Sequence, residues 1–168
     1  GIKEHRDCMS WIQYATNRFG CETPIILAGL SMGAATVLMV TKLDLPQTVS
    51  CIIADSPYAS PRAIIEKVCA DMRYPVTLCH PFIRLGALLF GRFHLDSISA
   101  KEAIKNARIP ILLIHGEDDR LVPCTMSFEI ARLCQSPIAV ETFPGAGHGL
   151  AYPVDKDGYV SKLLEINE

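Results

Sequence analysis

A chain of 168 residues, 49% hydrophobic and 20% charged, has the size and balance of one domain with a buried core. A net charge of −2 provides no basic face and argues against nucleic acid as a partner. The apolar runs are too short to span a bilayer, and the charged start Gly1 to Asp7 lacks the apolar centre of a signal peptide, so the expected location is cytoplasmic. Seven cysteines, an odd number with no C-x-x-C pair, read as reduced thiols filling core positions. Cys79 and His80 are adjacent but gain no further ligands at metal spacing, so no metal and no cofactor is expected.

Residues Glu4 to Phe19 predict a helix with Cys8, Trp11, Ile12, Ala15 and Phe19 on one face, ended by Gly20. Ile25 to Ala28 predicts a buried strand, and Met32 to Lys42 a helix stopped before Pro46. Val49 to Ala54 predicts the next strand. Pro61 to Met72 follows as a helix with Ile64, Ile65 and Val68 on its apolar side. Tyr74 to Phe93 is strongly apolar, and Ser97 to Asn106 predicts a helix capped by Ser97 or Ser99. Ile109 to His115 and Ile138 to Phe143 predict strands, and Cys124 to Cys134 and Lys156 to Ile166 predict helices. Strands alternating with helices imply the α/β class, as three α/β/α layers around a parallel sheet. Residues 60–108 are long for a connection between neighbouring parallel strands. They are expected to form a helical lid within a single domain over 1–168, although plain cover for the sheet is the simpler role.

Gly29-Leu30-Ser31-Met32-Gly33 lies between the first strand and its helix. A serine at such a strand–turn–helix apex has its hydroxyl thrust out beside a helix start, the geometry of a nucleophile. Gly29 and Gly33 are expected to be required because a β-carbon at either would clash in a sharp turn. A serine flanked by glycines is also an ordinary helix cap, so the reading depends on partners. A serine needs a base within hydrogen-bond reach, and the base needs an orienting acid. Two loops at strand ends carry such groups. His115 to Pro123 holds Glu117, Asp118 and Asp119, while Phe143 to Leu150 holds His148 among small residues, the candidate base. Asp55, after the second strand, is a further candidate acid. His115 reads as a loop-shaping histidine, Glu117 as a loop-structuring carboxylate, and His5, His80 and His94 as surface or lid residues.

These motifs resemble the α/β-hydrolase superfamily, over nearly the whole chain but only as its C-terminal portion. The resemblance is closest to bacterial esterase and serine aminopeptidase-like members. G-x-S-x-G matches Gly29 to Gly33, H-G-x-x-D-x-x-V-P matches His115 to Pro123, and G-x-x-H matches Gly145 to His148. The resemblance implies a catalytic Ser31, Asp119 and His148, with the backbone N–H of Met32 as one oxyanion donor. It implies a serine hydrolase acting on small-molecule carboxylic esters. Serine aminopeptidase, thioesterase and non-catalytic binding module are the alternatives. The family's earlier strands and its second oxyanion loop have no counterpart here. The 168-residue chain alone is therefore expected to be weakly active or inactive. Its strand Ile25 to Ala28 is expected to be an unprotected edge that pairs with a second copy, as a dimer or larger homo-oligomer, or is covered by a rearranged segment.

Overall fold

Four apolar segments of six or seven residues become strands of one sheet. In a computed structural model that describes residues 1–166, they are β1 (Ile25–Leu30), β2 (Val49–Asp55), β3 (Ile111–Gly116) and β4 (Ile138–Phe143). All pairings are parallel and the spatial order is β1-β2-β3-β4. Parallel strands covered on both faces need no polar alternation, which is why Ile111 to Gly116 is buried at every position.

The helices are α1 (Glu4–Phe19), α2 (Met32–Met39), α3 (Pro61–Asp71), α4 (Val76–Gly86), α5 (Ala100–Ala103), α6 (Thr125–Ala131), α7 (Ala151–Val154) and α8 (Lys156–Glu165). None of the described helices is long and apolar enough to cross a membrane. α2 is apolar all round and accordingly central, with Ala34 to Met39 all buried. It packs on one face of the sheet, where Leu27, Ile52, Ala54, Ile111 and Leu113 join it in the main core. The opposite face holds a smaller core of Leu112, Ile114, Phe143, Ala146 and Ala151, with Tyr159 and Leu163 of α8 against it.

Several expectations change in detail. The predicted helix after Ser31 passes into a 3-10 turn at Val40–Lys42. The one predicted over 97–106 shrinks to α5 and a 3-10 turn, with the Ser99 hydroxyl accepting from the Glu102 N–H. The apolar stretch from Tyr74 becomes α4 and a π-helical turn, Ala87–Gly91. On α1 the inward stripe runs through His5 and Ile12, whereas Trp11 and Phe19 face solvent. Helical spacing groups residues on a face without saying which part of that face meets the core. His5 is therefore a core residue, not a surface one. All seven cysteines are free; Cys51 and Cys69 are buried, while Cys21 is exposed.

β1 is an outer strand, and no described segment pairs with its free side. The expected cover by a rearranged segment is not found among the described residues. Ile26 and Leu30 remain 44% and 52% exposed, on the face that α8 covers over β3 and β4 but at the β1 side that it does not reach.

The two glycines around Ser31 are not equivalent. A β-carbon at Gly29 would lie 2.4 Å from the Gly33 carbonyl group, whereas one at Gly33 would meet nothing within 4 Å. The clash expected at Gly33 is absent because the close approach is made by its backbone, not by its α-hydrogen. Gly29→Ala should lower the unfolding free energy by about 1–3 kcal/mol or more. Gly33→Ala should stay within about 0.5 kcal/mol of wild type, both measured by denaturant unfolding.

Candidate active site

The carboxyl ends of the strands deliver three loops to one rim. The first is the turn from β1 into α2. Ser31 adopts φ 54° and ψ −114°, a left-handed backbone that a non-glycine residue adopts only when its surroundings fix it. Its N–H donates to the Asp55 carbonyl of β2 at 2.8 Å, which fixes the apex of the turn against the neighbouring strand.

The second loop follows β3 and the third follows β4, and they are laced together. Glu117 N–H donates to the Phe143 carbonyl at 3.0 Å and Asp118 N–H to the Ala146 carbonyl at 2.9 Å. The approach leaves no room at Gly116, where a β-carbon would sit 2.3 Å from the Ala146 oxygen. Asp119 is buried, and its Oδ1 accepts from the N–H groups of Leu121 (2.9 Å) and Val122 (2.8 Å). Asp118 points away and is exposed, and Glu117 accepts from the Thr142 hydroxyl at 2.7 Å.

Ser31, His148 and Asp119 meet across this rim. His148 Nδ1 lies 2.7 Å from Asp119 Oδ2, and its Nε2 lies 2.8 Å from Ser31 Oγ. A carboxylate only accepts, so the Nδ1–H donates to Asp119; the lone pair of the neutral ring is then on Nε2, facing the serine hydroxyl. The His148 side chain is 24% exposed while that of Asp119 is fully buried, a carboxyl group sealed inside and an imidazole open to the rim. The Met32 N–H opens α2 beside Ser31, where the partial charge of a helix start is positive.

His115 is fully buried and occupied at both nitrogens, Nε2 at 2.8 Å from the Val122 carbonyl and Nδ1 at 2.7 Å from Ser127 Oγ. It shapes the acid loop, as its position at a strand end suggests. Asp55 takes no part in the line through His148. Its Oδ1 accepts from the Ser56 hydroxyl at 2.9 Å and its Oδ2 from the Tyr159 hydroxyl at 3.1 Å. Burial pushes the Asp55 carboxyl up from the ordinary range, partly offset by those two donors and by the two histidines. Ser56, Ser127 and Tyr159 carry no motif that marks them in the sequence.

The Tyr159 phenol is pushed up to about 12 by burial, the Asp55 charge and their hydrogen bond. Folding therefore favours the protonated phenol. That contribution is complete below the free-phenol value of about 10 and is lost as the pH rises from about 10 to about 12. Tyr159→Phe should flatten the alkaline fall in stability over that window, followed by urea unfolding at a series of pH values.

Comparison with known proteins gives the chain its relatives. The family model described as the prolyl oligopeptidase family matches residues 1–165. Protein YqkD of Bacillus subtilis is 23% identical over 166 residues, covering 98% of this chain and 54% of YqkD. Acyl-protein thioesterase 1 of Gibberella zeae is 33% identical over 73 residues, covering 42% of this chain and 30% of that protein. Among solved structures, acetyl xylan esterase 1 from Thermoanaerobacterium sp. superposes with a TM-score of 0.67 at 18% identity, covering 97% of this chain and 51% of the esterase. The fold is thus the expected parallel-sheet portion of the α/β-hydrolase fold. The chain spans about half the length of YqkD and of the esterase.

Proposed function

The chain belongs to the prolyl oligopeptidase family, and from that premise we propose that it is a serine hydrolase cleaving carboxylic esters of small molecules through an acyl-enzyme. The reading is carried by one observation: Ser31 Oγ, His148 and Asp119 stand in a continuous hydrogen-bonded line with links of 2.8 and 2.7 Å.

Ser31 Oγ attacks the ester carbonyl carbon while His148 Nε2 takes the hydroxyl proton. Asp119 holds the Nδ1–H tautomer and stabilises the imidazolium that forms. The Met32 N–H donates to the developing oxyanion, a type of contact whose loss typically costs about 10²–10³ in turnover. His148 then gives its proton to the leaving alcohol. Water, deprotonated by the same nitrogen, attacks the acyl-enzyme and releases the acid and free Ser31. The relationship to an acyl-protein thioesterase favours thioesters as the second substrate class, since the same groups serve both.

Residues 60–108 act as the lid in this reading. α3 and α4 enclose an apolar groove of about 560 Å³ with Ile64, Val68, Met72, Tyr74, Phe82 and Ile83 on its walls. α3 is tied to the acid loop, because the Lys67 ammonium donates to the Arg120 carbonyl while also pairing with Asp71. Such a groove suits an acyl chain or an aromatic group over a charged one.

A fluorophosphonate probe should label the full-length protein, and Ser31→Ala should abolish the labelling. A folded protein that resists the probe would instead support a binding module. Asp119→Asn should leave the fold intact and lower kcat by about 10⁴, through loss of the required tautomer. Filling the groove with Val68→Phe should raise KM for long-chain p-nitrophenyl esters while leaving the acetate ester nearly unchanged, read from a chain-length series.

A further inference from the structure

One dipeptide touches both halves of the candidate machinery. The Asp55 carbonyl accepts from the Ser31 N–H at 2.8 Å, and the Ser56 hydroxyl accepts from the Gly149 N–H, next to His148, at 3.3 Å. The same hydroxyl donates to Asp55 Oδ1 at 2.9 Å, and the Tyr159 hydroxyl of α8 donates to Asp55 Oδ2 at 3.1 Å. The chain of bonds therefore runs α8, β2, His148 loop, with the nucleophile turn joined at its middle.

Two further observations mark residue 56 as more than a strand end. Ser56 is fully buried and holds φ 53°, a left-handed conformation that strains a non-glycine residue. Glycine would suit that backbone better, yet it lacks the hydroxyl that meets both Asp55 and Gly149. At the receiving end Gly149 has φ +65°, and a β-carbon there would press on Leu30 at 3.0 Å, so the segment after His148 fits in one way.

We propose that Tyr159, Asp55 and Ser56 form a positioning relay that sets the His148 imidazole at hydrogen-bond distance from Ser31. The relay rests on the serine-hydrolase reading, and it assigns Asp55 a role different from that of an acid partner. The Asp55 carboxylate orients the Ser56 hydroxyl by accepting its proton end. The lone pairs of that hydroxyl are thereby turned to the Gly149 N–H. Tyr159 holds the other carboxylate oxygen, so the carboxylate cannot swing toward His148.

The decisive variant is Ser56→Gly in the full-length protein, because it relieves the backbone and removes the hydroxyl together. The relay predicts that kcat falls about tenfold or more, that KM changes less than about twofold, and that the thermal midpoint does not drop. The fluorophosphonate labelling rate of Ser31 should fall in the same proportion, since labelling needs only Ser31 and its base. Tyr159→Phe, which leaves Asp55 and Ser56 in place, should show the same kcat-only pattern at smaller size, about three- to tenfold. If Ser56→Gly and Tyr159→Phe both keep wild-type kcat and labelling rate while the wild type is active, the relay is overturned and the hydrolase reading stands. If the wild-type protein neither turns over esters nor takes the probe, the hydrolase reading falls and the relay with it.

Discussion

The register of the parallel sheet is the constraint on which the site depends. Leu30, Asp55, Ile114 and Glu141 lie at one level across the four strands. The chain therefore leaves β1, β2, β3 and β4 within a residue or two of the same rim. Ser31, Asp119 and His148 are far apart in sequence, and only this alignment brings them into one hydrogen-bonded line through His148. A slip of one residue would turn a strand's side chains to the wrong face. A slip of two would move a loop by about 6.6 Å, more than twice a hydrogen-bond length. The register is held by two different cores: Leu27, Ile52 and Leu113 must face α2, while Leu112 and Ile114 must face α8.

The two faces of the sheet are covered unequally. α1, α2, α5 and α6 surround the face that carries the main core. The other face is covered by α7 and α8 over β3 and β4, leaving Ile26 and Leu30 open at the β1 side. Burying a fully exposed isoleucine or leucine is worth about 1.5–3 kcal/mol, and about half of the surface of Ile26 and of Leu30 is still open to water. This open strip lies beside the outer edge of β1, in a chain spanning about half the length of YqkD.

The strands were legible because buried parallel strands are continuous apolar runs bounded by turn residues. β3 is the clearest case, with Ile111, Leu112, Leu113 and Ile114 all buried. Periodicity was a poorer guide to burial on α1, where Trp11 and Ile12 are neighbours in sequence but only Ile12 is inside. α7 was invisible, since Pro153 in a four-residue helix argues against one. Among the candidate site residues, Ser31 and His148 stand out by their local turns. Asp119 does not: Glu117, Asp118 and Asp119 are chemically interchangeable on paper, and only the matched loop motif chooses among them. The contacts of Asp55 and Ser56 were beyond sequence reasoning, because Tyr159 joins them from 104 residues away.

The two histidines at the acid loop show how one carboxylate can serve two different ends. Asp119 Oδ2 lies 2.7 Å from His148 Nδ1 and 3.3 Å from His115 Nε2. The His115 Nε2 must carry a hydrogen, because the Val122 carbonyl 2.8 Å away can only accept; Nδ1 is then free to accept from the Ser127 hydroxyl. Both ring nitrogens of His115 are thus partnered inside the buried loop. His148 has the opposite arrangement, with one nitrogen fixed on Asp119 and the other facing a hydroxyl at the exposed rim. Burial and the choice of second partner, rather than residue type, separate the enclosed imidazole of His115 from the rim-facing imidazole of His148.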